Sequence, residues 1–225
     1  MTNPVFVGVD TADLGAARRL AIAVRPHVGG LKLGLQFFMA NGPAGVRAMA
    51  EIGLPLFLDV KLHDIPNTVA GALRSLAPLQ LYMVNVHGGG GPAMLAAARD
   101  ACPTTTKLIA VTVLTSLDDG DLAALGVGDG SAAQVARLAA LARAAGLDGV
   151  VASPHEVAAL KTGWPEGEFV IPGIRPAGSA MGDQKRAMTP AAALAAGATM
   201  LVIGRPITDA PDPAVAAAAI ADSLA

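Results

Sequence analysis

The chain has 225 residues, a formal net charge of −2 and 15% charged residues, which supplies no field for nucleic acid or an anionic membrane. Aromatic residues make up 3%, and only Phe37 and Phe38 adjoin each other, so no base-stacking platform is expected. Cys102 is the single cysteine, which leaves no internal disulfide and fits a reducing cytoplasm.

Apolar runs rich in Val, Ile and Leu recur at 5–10, 31–34, 56–61, 81–87, 108–114, 149–153, 169–174 and 200–205. Most are continuously apolar, as in parallel strands buried on both faces. Alanine-rich segments of helical spacing separate them, such as Leu14, Ala17, Ala21, Val24 and Val135, Leu138, Ala142, Ala145. Helix starts carry their own signals. Ser153 with Glu156 and Ser131 with Gln134 read as capping boxes, and Thr189-Pro190 and Asp212-Pro213 as a cap followed by a first-turn proline. Eight such units predict one (β/α)₈ barrel domain over residues 1–225. A doubly wound sheet would have a glycine-rich first turn, which Asp10-Thr11-Ala12-Asp13 is not.

Mean hydropathy is positive, but the uncharged stretch 187–204 is broken by Pro190, Gly197 and two threonines, so no membrane-spanning helix is expected. No basic segment precedes the first apolar run, and no signal peptide is expected.

Barrel enzymes keep their chemistry at the C-terminal ends of the strands. Those ends bring Asp10, Lys32, Asp59 with Lys61, Asn85 with His87, Thr115 with Ser116, Arg175, and Gly204 with Arg205. The densest group is Asp59-Val60-Lys61-Leu62-His63-Asp64-Ile65-Pro66-Asn67-Thr68. Two-residue alternation predicts that Asp59 and Lys61 share a face, beside Lys32 of the neighbouring strand. Such charges, drawn out of water, cost several kcal/mol per ion unless they compensate one another. The bland alternative is a salt-bridge network that merely closes the barrel end.

These residues resemble those of the orotidine 5′-phosphate decarboxylase family, in its bacterial form. The resemblance rests on Lys32-Leu33-Gly34, the string from Asp59 to Thr68, Leu114-Thr115-Ser116, Pro172-Gly173-Ile174-Arg175-Pro176, Gln184 and Ile203-Gly204-Arg205-Pro206, in order along the whole chain. It implies decarboxylation of orotidine 5′-phosphate to UMP in pyrimidine biosynthesis, without metal or organic cofactor. Lys32, Asp59, Lys61 and Asp64 would form an alternating charge network, with Lys61 protonating C6 as CO₂ leaves. Asp10 and Lys32 would hold ribose hydroxyls, and Thr115 or Ser116 would orient the pyrimidine. Gln184, Gly204 and Arg205 would bind phosphate, with Arg175 in support. Asp64 and Thr68 would reach the partner's site, implying an obligate homodimer. The segment 176–186 reads as a lid, with glycines at 178 and 182.

His63 and His87 lack close metal-ligand spacing, and 88–91 lacks the Lys-Ser/Thr of a nucleotide-binding loop; the latter reads as a tight strand-to-helix turn. Two rival functions stay open. One is a metal-dependent sugar-phosphate barrel decarboxylase or aldol-type synthase, which would share Asp59, Lys61 and Asp64. The other is a catalytically silent phosphoribosyl-binding barrel.

Overall fold

A computed structural model describes residues 3–176 and 188–224. Its eight strands are β1 (Val5–Val9), β2 (Gly30–Leu33), β3 (Leu56–Leu62), β4 (Met83–His87), β5 (Lys107–Val111), β6 (Gly149–Val151), β7 (Glu168–Ile171) and β8 (Met200–Ile203). All neighbours are parallel, and β8 pairs back onto β1 to close the barrel. Each expected apolar run holds one strand. Those of β5, β6, β7 and β8 end two or three residues earlier than expected, where the chain leaves the sheet for the mouth loops.

Helices follow the strands in order: α1 (Leu14–Val24), α2 (Leu35–Ala50), α3 (Pro66–Leu76), α4 (Gly91–Ala101), α5 (Asp119–Ala124), α6 (Gly130–Ala144), α7 (Val157–Gly163), α8 (Pro190–Ala195), α9 (Arg205–Thr208) and α10 (Pro213–Asp222). Residues 88–90 form a short 3-10 turn leading into α4, as the strand-to-helix reading predicts. Along α1 the small residues Ala17 and Ala21 are fully buried with Val24, which lets the helix lie close on the sheet. No helix among the described residues is long and apolar enough to cross a membrane.

The caps divide. Thr189 accepts from the Ala192 amide at 3.4 Å, and Asp212 from Ala214 and Val215 at 2.9 and 3.2 Å, as expected. The two predicted boxes do not cap helices. Ser153 and Glu156 do bond each other, but 154–156 form a turn and the helix starts only at Val157. Ser131 lies inside α6 and its amide donates to Asp119 at 2.8 Å, so a tertiary acceptor replaces the local one. The box that forms is Asp118 with Asp121.

Side chains alternate between two cores. Outward residues meet the helices, while Phe6, Phe57, Met83, Ile109, Val170, Met200 and Val202 pack together inside the barrel. Full burial of one such side chain stabilises by roughly 1.5–3 kcal/mol. This plug fills the lower barrel and leaves the upper inward positions for polar groups.

Candidate active site

The end of β3 is irregular. Leu58 pairs with Val84 and Leu62 with Val86, so four steps on β3 oppose two on β4. Within this bulge Lys61 takes φ +50°, a left-handed conformation that costs a non-glycine residue about 1–2 kcal/mol. Asp59 and Lys61 share a face as expected, both lining one cavity, although the strand between them is bulged and not regular. Lys61 nevertheless reaches its partner: its Nζ lies 2.6 Å from Asp59 Oδ1.

Asp59 is shared. Its Oδ2 lies 3.2 Å from Lys32 Nζ, which is also 3.6 Å from Asp10 Oδ1. Asn85, fully buried, donates to Asp59 Oδ1 at 2.7 Å and accepts from the Lys61 backbone N–H at 2.8 Å. Burial pushes the Asp59 carboxyl up. The charges of Lys32 and Lys61 and the hydrogen bonds from Lys61 and Asn85 outweigh that and hold it below the ordinary carboxylate value.

Beside this group opens a cavity of about 200 Å³, lined by Lys32, Asp59, Lys61, Thr115 and Pro172 and floored by apolar residues including Phe57 and Val202. Gly34 makes room for the pair Asp10–Lys32. A Cβ on Gly34 would stand 2.7 Å from Asp10 Oδ1 and 3.2 Å from Lys32 Nζ, so the Asp10 carboxylate would have to shift. One on Gly8 would lie 3.6 Å from both Gly204 Cα and Lys32 Cε.

Asp10, Lys32, Asp59 and Lys61 are thus brought together, and Gly204 adjoins them. Thr115 lines the cavity, whereas Ser116 is exposed and outside its lining. Arg175 is buried and donates to its own neighbour's carbonyl, that of Ile174, at 3.0 Å. Arg205 is exposed and opens α9 at the end of β8. Asp64 and Thr68 are exposed on the rim, and no ion pair among the described residues joins Asp64 to either lysine. Gln184, and the lid segment apart from Pro176, lie outside the described residues.

Sequence reasoning placed Asn85 at a strand end but gave it no role. A signal was available: an amide in an otherwise apolar strand must find partners once buried. It also left His63 and His87 unassigned. Their rings stack at 4.9 Å between centroids and 12° between planes, and His87 Nδ1 accepts from the Gly89 amide at 3.1 Å.

The family model described as "Orotidine 5'-phosphate decarboxylase / HUMPS family" matches residues 3–220. An orotidine 5′-phosphate decarboxylase of Novosphingobium aromaticivorans is 56% identical over 224 residues, covering 100% of both chains. One of Sphingopyxis alaskensis is 55% identical with the same coverage. The crystal structure of orotidine 5′-phosphate decarboxylase from Lactobacillus acidophilus superposes with a TM-score of 0.85 at 35% identity, covering 99% of each chain. With the barrel, the lysine–aspartate cluster at its mouth and these full-length matches, the chain belongs to the orotidine 5′-phosphate decarboxylase / HUMPS family.

Proposed function

We propose that this protein decarboxylates orotidine 5′-phosphate to UMP in pyrimidine biosynthesis, using Lys61 as the proton donor. The observation that carries the reading is the charge arrangement: two ammonium groups share the buried carboxylate of Asp59 beside a small cavity. The second carboxylate of the cluster, Asp10, is 60% exposed and 3.6 Å from Lys32, so at the buried side two ammonium groups face one carboxylate where an anionic reactant would sit.

The chemistry asks for this. Breaking the bond from C6 to the carboxylate leaves its electron pair on C6, in an orbital the pyrimidine ring does not delocalise. An ammonium aimed at C6 stabilises that pair, then gives it a proton to form the C6–H bond of UMP. The lysine recovers its proton from solvent. Asp59, held ionised, faces the substrate carboxylate and favours its departure as neutral CO₂. No cofactor takes part in this scheme.

Asp10 and Lys32 hold ribose hydroxyls in this reading. Thr115 orients the pyrimidine in preference to Ser116, since it lines the cavity. Gly204, Arg205 and Gln184 take the phosphate, with Arg175 supporting that side. The chain acts as a cytoplasmic homodimer, with Asp64 and Thr68 completing the partner's site. Their exposure supports this, as does that of Ile65 between them, an apolar side chain left 67% exposed. A metal-dependent reaction is disfavoured because the carboxylate best placed to ligate a cation is already occupied by two lysines.

Incubation of EDTA-treated protein with orotidine 5′-phosphate, followed by ultraviolet absorbance, tests the reading. Conversion to UMP is expected. A folded dimer that leaves the substrate unchanged would sink it, and turnover of a sugar phosphate only with Mg²⁺ would transfer the site to the metal-dependent alternative.

A further inference from the structure

We propose that Asn85 is a positioning residue for Lys61: its amide pins the lysine backbone and the Asp59 carboxylate into one geometry, on which the aim of the ammonium depends. The inference rests on the decarboxylase reading for its kinetic arm and on geometry alone for its structural arm.

Three hydrogen bonds close a ring. The Lys61 amide donates to Asn85 Oδ1 at 2.8 Å, Asn85 Nδ2 donates to Asp59 Oδ1 at 2.7 Å, and Lys61 Nζ donates to that same oxygen at 2.6 Å. Lys61 therefore enters the ring twice, through its main chain and through its side chain. Only one orientation of the Asn85 amide serves. The flipped one would face donor to donor at Lys61 and oxygen to carboxylate at Asp59.

The bulge explains why a side chain is needed there. Asn85 lies on β4 between Val84 and Val86, the two residues that pair with Leu58 and Leu62. It stands opposite the surplus residues of β3, where regular ladder bonding is interrupted. The Asn85 side-chain oxygen takes the place of the missing ladder acceptor for the Lys61 N–H. It thereby holds Lys61 at φ +50°, from which the chain would otherwise relax. Asn85 is fully buried and absent from the cavity lining, so it acts through Lys61 and Asp59 and not by touching substrate.

Asn85→Leu keeps the branched heavy-atom outline, at some cost in volume, and removes both hydrogen bonds. A reacting group displaced by about 1 Å loses on the order of 100-fold in rate. The expected result is a fall in kcat of that order, with KM and UMP affinity held within about threefold, because substrate contacts are intact. Amide exchange of Lys61 should accelerate sharply in the same variant while Leu58 and Val84 stay protected. Asn85→Ser, whose hydroxyl both donates and accepts, should fall between wild type and Asn85→Leu in both readouts, and serves alone if the leucine variant does not fold. The proposal is overturned by near-normal kcat in a folded variant, by activity lost only in proportion to the unfolded fraction, or by unchanged Lys61 exchange. If wild type fails to convert orotidine 5′-phosphate, the decarboxylase reading falls by itself, and the exchange measurement still decides whether Asn85 pins Lys61.

Discussion

The two ends of the barrel both carry charged side chains drawn partly out of water, and they use them differently. At the foot, Lys107 and Glu168 are the first residues of β5 and β7 and pair with each other. Lys107 also sits 5.2 Å from the Tyr82 ring centroid. Next to them Asp148 takes Arg99 at 2.9 Å and the Leu108 amide at 2.7 Å. Burial pushes the Lys107 ammonium down, but its bonds to Glu168 and Tyr82 outweigh that and hold it above the ordinary lysine value. Each of these two cations meets its own anion. At the mouth, Asp59 answers two lysines, while Asp10, the other carboxylate within reach, is 60% exposed and 3.6 Å away. Paired charge closes the foot, whereas at the mouth a shared buried carboxylate borders a cavity open to a ligand. A closing salt-bridge network fits the foot, and Lys61→Ala decides whether it also fits the mouth.

The sharpest way to break this comparison is Lys61→Ala. Loss of the proton donor and of its charge together should lower kcat by at least about 10⁴-fold in a folded protein that still binds UMP. Near-normal turnover would make the mouth another structural network. Next comes Arg205→Ala, which should weaken UMP binding by roughly 10- to 100-fold, the worth of one charge-assisted hydrogen bond, with the unfolding midpoint hardly moved. Unchanged affinity in calorimetry would remove Arg205 from the phosphate position.

The foot should behave in the opposite way. Lys107→Met leaves Glu168 without its partner in a site where the two side chains are 33% and 24% exposed. The expected cost is about 1–3 kcal/mol of stability, between surface and buried pairs, with kcat/KM unchanged. Adding Glu168→Leu should recover most of the loss. A large fall in kcat at full stability would erase the distinction between the two ends.

The smallest effect is one of pH. Burial, then His63 and Lys61, push the His87 imidazole below its ordinary value. In the unfolded chain His87 binds a proton near pH ~6.5 that the folded chain refuses. Its contribution to stability is therefore complete above that pH and lost as pH falls through the lowered folded value. Asp59 is also shifted down, so its contribution stands above about pH 4 and disappears only at more acid pH. Denaturant unfolding between pH 7.5 and 5 should show a modest decline in wild type and a smaller one in His87→Gln. Equal declines would show that His87 does not titrate in this window.

Eight strands, their order and the mouth as the place of polar residues were legible in the sequence. Buried parallel strands require unbroken apolar runs, and a run can only end in polar residues where the chain meets water. The proximity of Lys32 to Asp59 followed from neighbouring strands in a parallel barrel. Local signals were less secure. Ser131 and Ser153 each had the composition of a cap, but tertiary acceptors and a turn took their hydrogen bonds. The foot pair Lys107–Glu168 went unread because its members stand 61 residues apart and join only once the barrel closes.

What the chain by itself determined is the inventory: an alternation of strands and helices, and a lysine–aspartate set at strand ends. The tertiary structure alone decided how those groups meet. The bulge between β3 and β4, the left-handed turn at Lys61 and the amide of Asn85 that fills the gap all depend on register between two strands. A bulge appears only when two strands are laid side by side, and the spacing along β3 alone does not reveal it.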